Sequence, residues 1–157
     1  MKVNKPDNKD IFSVKKAEDS SGFLLWQVTS LWQRSLNRLL KKHKLTQPQY
    51  VVLASVQWLS LSSPHVTQSD ISSHAKMDKM LVSNLVKTLE SKKLINRFPS
   101  KQDTRANIIV PTQVGIKLLT SAVKEVEGFD RHFVSPLGKE VAKFNSYLLK
   151  LIESNKE

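Results

Sequence analysis

"VTQSDISSHAKMDKMLVSNLVKTLESKKLINRFPSKQDTRANIIVPTQVG", residues 66–115, holds two helix starts, a tight turn and two short apolar stretches in a fixed order. Thr67 is a capping residue with Asp70 three places on, the pattern of a capping box. The helix it opens is short and ends near Ala75. "KMDK" (76–79) is a turn, and the spacing predicts a further helix from Asp78 to about Lys92. "LINRF" (94–98) and "NIIV" (107–110) then flank the polar tip "PSKQDTRAN" (99–107), which reads as a two-stranded hairpin. Pro111 ends the second strand and Thr112 caps the next helix. A short helix, a tight turn, a second helix and a hairpin make up a winged helix-turn-helix.

Upstream, "TQPQ" (46–49) is another helix start. Thr46 caps, Gln49 completes the box and Pro48 is tolerated in the first turn. This helix should run to about Leu61 with Tyr50, Leu53, Ala54 and Trp58 inward. Before it, Leu25, Val28, Trp32, Leu36 and Leu39 recur at three- and four-residue steps from Ser20 or Ser21 to about Lys42. Leu24, Trp26 and Leu31 lie outside that stripe, so the helix is apolar on more than one face and must cover more than one neighbour. Residues 1–19 are polar and carry Lys2, Lys5, Lys9, Lys15 and Lys16, an arm ahead of the fold. Downstream, a helix from Thr112 to about Gly128 or a little beyond precedes "SPLG" (135–138). That segment opens a last helix with Val141, Phe144, Leu148, Leu151 and Ile152 on its apolar side. The expected fold is mainly α with one small β-hairpin wing. The arm spans 1–19 and a single domain spans 20–157, with the winged core at about 46–111.

At 157 residues with 39% hydrophobic content the chain is long enough for a sizeable core and too apolar to be disordered. No apolar run approaches the length of a bilayer span, and the opening "MKVNKPDNKD" lacks the apolar region of a secretory signal. There are no cysteines, which removes disulfides, thiolate metal sites and thiol-based peroxide sensing. A cytoplasmic protein is the simplest expectation. The net charge is +11 and the pI about 9.9, a balance that favours anionic partners. Residues 1–45 carry +6 of it, 46–64 none, 65–111 +4 and 112–157 only +1. The excess therefore lies ahead of the C-terminal third.

The helix at 78–92 has two distinct sides at 100° per residue. Leu81, Val82, Leu85, Val86 and Leu89 form the inward side. Met80, Ser83, Asn84 and Lys87 lie opposite, polar, mostly short and free of acids. Serine and asparagine can donate and accept at base edges, and lysine can reach a phosphate or a guanine. Lys76 and Lys79 oppose the helix dipole, an arrangement that a phosphate would relieve. On the tip, Lys101 and Arg105 are cations and Asp103 stands two residues before Arg105. Taken alone, the tip reads equally well as a solvated turn with a surface ion pair or as an arginine entering a minor groove.

The same stretch resembles the winged-helix core of the MarR family (multiple-antibiotic-resistance regulators), and the likeness extends from about Ser20 through "LTQPQYVVL" to the two last helices. The "DTR" tip fits the family's D-x-R wing, "LINR" its L-x-x-R strand and "PTQVG" its L-T-x-x-G helix start. The resemblance implies a homodimeric transcriptional regulator, of which repressors are one kind, bound to double-stranded DNA. Helix 78–92 would enter the major groove and the wing 99–106 the minor groove, with Asp103 steadying Arg105. Thr67 and Gln68 would join Lys76, Lys79, Met80, Ser83, Asn84, Lys87 and Lys101 in the DNA-facing set. The first helix (about 20–43) and the last two (about 112–155) would form the dimer interface, through Leu24, Trp26, Leu31, Phe129, Phe133, Phe144, Leu148 and Leu151. The family also implies a small aromatic or phenolic effector, with no resident cofactor. The chain departs from the pattern at Lys93, where glycine is common, and at Pro111, where leucine is common.

Other chemistry finds little support. His43, His65, His74 and His132 are scattered. Asp70 with His74 offers only two ligands, and Glu127 with Arg131 fits an i, i+4 ion pair better than a metal site. No phosphate-binding glycine loop or nucleophile elbow is present, so no enzyme is expected. Trp26, Trp32 and Trp58, at helical spacing, read as core. The competing reading is a winged-helix interaction module without operator recognition, which would bind any duplex weakly and equally.

Overall fold

In a computed structural model, the described residues, 11–100 and 106–155, form six α-helices and one hairpin: α1 (Ser21–Leu40), α2 (Gln47–Ser60), α3 (Gln68–Ala75), α4 (Lys79–Ser91), β1 (Ile95–Pro99), β2 (Asn107–Pro111), α5 (Gln113–Val134) and α6 (Val141–Ser154). Short 3₁₀ turns precede α1, follow it at Lys41–His43, and join α5 to α6 at Ser135–Glu140. No helix among them is long and apolar enough to cross a membrane. The boundary between two compact units falls after Ser35, inside α1.

The three expected helix starts form as capping motifs. Thr46 accepts the Gln49 amide at 3.4 Å while the Gln49 side chain accepts the Thr46 amide at 3.2 Å. Thr67 and Asp70 repeat the exchange at 3.3 and 2.8 Å, and the Thr67 hydroxyl also donates to Asp70 at 2.7 Å. That carboxylate is therefore occupied locally. Thr112 accepts the Gly115 amide at 3.0 Å and donates its hydroxyl to the Lys93 carbonyl at 2.7 Å, which ties the start of α5 to the base of the wing.

The core of the second unit lies where α2 packs on α3, α4, α5 and β2. Val52, Leu53 and Val56 of α2, Ile71 of α3, Val82, Val86 and Leu89 of α4, Ile95 and Ile109 of the hairpin, and Leu119, Ala122 and Val126 of α5 are all buried. Trp58, expected inward, is 66% exposed. The reason is angular. The buried residues of α2 are Gln49, Val52, Leu53, Ser55 and Val56, and Trp58 lies about 180° around the helix from Gln49. Trp26 is 69% exposed as well, so of the three tryptophans expected as core, two are surface residues of the single chain.

β1 and β2 pair antiparallel in the register Ile95↔Pro111 to Pro99↔Asn107. A third segment joins them, since the Ile109 amide donates to the Val66 carbonyl at 2.8 Å. Three helix exits turn through left-handed lysines: Lys44 (φ 54°), Lys76 (φ 53°) and Lys93 (φ 59°). Lys93, where glycine is usual in the resembled family, takes the conformation that glycine adopts most easily. α5 continues six residues past Gly128 to Val134, and Phe129 and Phe133 stack with ring centroids 5.7 Å apart. The connection after it is 3₁₀ and breaks at Gly138 (φ 53°), so α6 begins only at Val141.

Candidate nucleic-acid interface

The turn between α3 and α4 is held by its own polar groups. The Met77 amide donates to the Ser72 carbonyl at 3.1 Å, and the Ser72 hydroxyl donates to the Met77 carbonyl at 2.6 Å. Lys76 reverses the chain with its left-handed backbone. Asp78 then caps α4, accepting the Met80 amide at 2.8 Å and the Leu81 amide at 3.1 Å through one oxygen. A carboxylate here offsets the unfavourable Lys76 and Lys79 by meeting the positive end of the helix. α4 is one residue shorter at each end than expected, because Asp78 is its cap and Lys92 its exit.

Val82, Val86 and Leu89 face inward and are fully buried, while Leu85 is half-buried. Leu81, expected in the core, is 44% exposed. It sits on the flank of the helix, about 100° from the Val82 row, and the narrow stripe i, i+4, i+7 is enough to seat α4 on α2, α3 and β1. Outward lie Met80, Asn84 and Lys87, all exposed, with Ser83 half-buried. Lys76 and Lys79 are exposed at the leading end, and Thr67 and Gln68 are half-buried at the start of α3. The acid nearest this face along α4, Glu90, is turned away to Arg97 of β1, whose Nε donates to it at 2.8 Å. The Arg97 hydrogen bond holds the Glu90 carboxyl below its ordinary range and pushes the guanidinium up. This pair fixes the wing against the helix. Sequence reading passed over it, although the arginine of "LINR" and an acid seven residues earlier were the available signal.

The α3–α4 turn also borders an open cleft of about 880 Å³ walled by Ser72, Ser73, Lys76, Met77, Asp78 and Lys79, with Ile152 and Asn155 from the end of α6. At the end of the described hairpin the Ser100 amide donates to the Ala106 carbonyl at 3.0 Å. Lys101, Asp103 and Arg105 lie outside the described residues. At the other end of α4, Lys92 donates to the Lys44 carbonyl at 2.8 Å and to Gln49 at 2.9 Å. Lys42 and His43 both reach Glu125 of α5 at 3.1 Å, and Lys42 chiefly holds that carboxyl below its ordinary range. The expected Glu127–Arg131 pair forms at 3.8 Å.

α2 and α5 border a second open cleft, of about 390 Å³, lined by Gln57, Ile116, Leu119, Thr120, Val123 and Lys124 with Glu127 and Arg131. The Gln57 side-chain oxygen is buried, with no hydrogen-bond partner among the described residues.

The arrangement can present an acid-free helix face, led by the exposed Lys76 and Lys79, to a polyanion. Comparison with known proteins identifies the family. The MarR family model matches residues 45–106. The chain is 36% identical over 134 residues to YdcH of Bacillus subtilis (strain 168), an uncharacterized HTH-type transcriptional regulator, covering 85% of this chain and 90% of that one. It is 27% identical to the HTH-type transcriptional repressor IacR of Pseudomonas putida, over 85% of this chain and 78% of the relative. Among solved structures, MepR of S. aureus in its DNA complex superposes with a TM-score of 0.78 at 26% identity, covering 90% of this chain and all of that one. Helix order, wing register and these likenesses together mean that the chain belongs to the MarR family of transcriptional regulators.

Proposed function

We propose that the protein is a cytoplasmic, homodimeric regulator that binds a pseudo-palindromic duplex, with α4 in the major groove and the wing 99–106 in the minor groove. The observation that carries this reading is the outward face of α4. Met80, Ser83, Asn84 and Lys87 share it with no acid, and Asp78 and Glu90, the acids at its two ends, are both engaged elsewhere. Asn84 addresses a base edge, and Lys76, Lys79 and Lys87 address phosphates. At the wing, Arg105 takes the minor groove and Asp103 orients it, as in the D-x-R pattern. MepR was captured on DNA, which supports the same use of the shared fold here. Two copies, joined through α1, α5 and α6, set half-sites about one helical turn apart.

The 390 Å³ cleft supports an effector site. Its apolar wall of Ile116, Leu119 and Val123 suits an aromatic ring, and Lys124 offers a cation to a carboxylate or phenolate beside the Glu127–Arg131 pair. A phenol or aromatic acid suits this lining.

Fluorescence anisotropy against the DNA upstream of the gene and a scrambled duplex tests the main reading. A preference of about 10³ or more establishes operator recognition. Equal, steeply salt-dependent binding to both would leave only charge at work and favour the interaction module.

A further inference from the structure

The outward face of α4 is polar except at its first turn. Met80 is 74% exposed, the most exposed large apolar side chain among the described residues. Around the helix it lies about 40° from Asn84 and roughly opposite Val82 and Leu89, so it cannot fold into the core. Helical side chains lean toward the N-terminus, which carries Met80 over the leading end of α4, ahead of Asn84. Asp78 caps the amides of Met80 and Leu81, so the backbone beneath is pinned while the unbranched thioether stays adaptable. Lys76 and Lys79, both exposed, flank it.

A lone surface methionine is unremarkable in most places. Here it stands on the face that the proposed function sets against the major-groove floor. Base edges there offer hydrogen-bond donors and acceptors and a single apolar group, the C5-methyl of thymine. A thioether donates nothing and accepts weakly, so the methyl is the one feature it complements.

We infer that Met80 is a specificity residue that reads a thymine methyl, one base-pair step or two from the pair addressed by Asn84. Four residues at 1.5 Å rise separate their backbones by about 6 Å, close to two base-pair steps. The inference rests on the placement of α4 in the major groove and adds the identity of a base.

The test starts by enriching duplexes from a random-sequence pool with the full chain. Each thymine of the enriched half-site is then replaced by deoxyuridine, which deletes only the methyl. For the wild type, one thymine per half-site should lower affinity about fourfold when replaced, the effect of burying one methyl-sized group. Replacing both symmetry-related thymines should lower it about fifteenfold. In Met80→Ala, with circular dichroism unchanged as its exposure allows, the same replacement should have no effect. In Lys87→Ala the uridine penalty should persist while overall affinity drops. A wild type indifferent to every uridine, or a penalty that survives in Met80→Ala, overturns the role of Met80 and leaves DNA recognition standing. A pool that yields no enriched sequence overturns both readings.

Discussion

Left-handed lysines are the clearest point at which single residues set the energetics. An L-residue at φ near +55° costs about 1–2 kcal/mol that glycine avoids, offset in part by glycine's greater freedom when unfolded. Lys93→Gly should therefore stabilise the protein by about 1 kcal/mol, seen as a rise of about 3 °C in the thermal midpoint, with operator affinity unchanged. Lys76→Gly should give a similar gain but lose DNA affinity, with the salt slope of binding shallower by about one, because this lysine is assigned a phosphate. Parallel stability gains with opposite binding outcomes would separate backbone from charge. Gly115 makes the converse case. A Cβ there would lie 2.0 Å from the Leu94 carbonyl oxygen, which already accepts the Thr112 amide at 3.0 Å. Gly115→Ala should cost about 2 kcal/mol or more in chemical denaturation, since backbone and not a flexible side chain must yield. The glycine of "PTQVG" was visible in the sequence as a motif. Its reason, the closeness of α5 to the Leu94 backbone just ahead of β1, is a long-range contact that no local pattern contains.

The elements themselves were largely legible, because each is announced by local chemistry: Thr46, Thr67 and Thr112 begin helices, and each closes its own capping bond. Less visible was which part of an apolar helix meets the core. Leu81 and Trp58 are apolar yet exposed, since three buried residues seat α4 and five seat α2, and composition does not reveal the width of a stripe. The end of α5 lies past Gly128, at Val134. Glycine inside a helix costs only about 1 kcal/mol, so Gly128 does not stop a helix that goes on to stack Phe129 on Phe133. The α4–β1 junction gives a pH-dependent test. The Glu90 carboxyl, held by Arg97, titrates below its ordinary 4.5. A lowered native pKa means stability present above the unfolded value and lost as pH falls through the native one. The wild type should therefore exceed Glu90→Gln in thermal midpoint at neutral pH, with the gap closing as the pH drops below about 4.5. A gap that stayed constant down to the acid limit would remove the ion pair as its source.

At the scale of the whole molecule, α6 poses the sharpest problem. It has fourteen residues, none of them buried, with Tyr147, Leu149, Leu151 and Ile152 about half exposed or more. An isolated helix of that length is marginal in water, and a row of exposed apolar side chains needs a cover. α1 has the same character, with Leu24, Trp26 and Leu31 exposed. α6 lies outside the winged core in the chain, so association through it leaves the buried set of that core intact. The double change Leu148→Glu, Leu151→Glu should convert the protein in sedimentation velocity from a species of twice 17.9 kDa to the single chain. The winged core should stay folded, because neither residue contributes to its buried set. Operator affinity should then fall by about 10² or more, since two linked half-sites bind with an effective concentration that separate chains lack, while the residual binding keeps its preference for the operator half-site. Loss of affinity together with loss of preference would instead mean that α6 supports the reading face of α4, across the cleft that Ile152 and Asn155 share with Lys76 and Lys79.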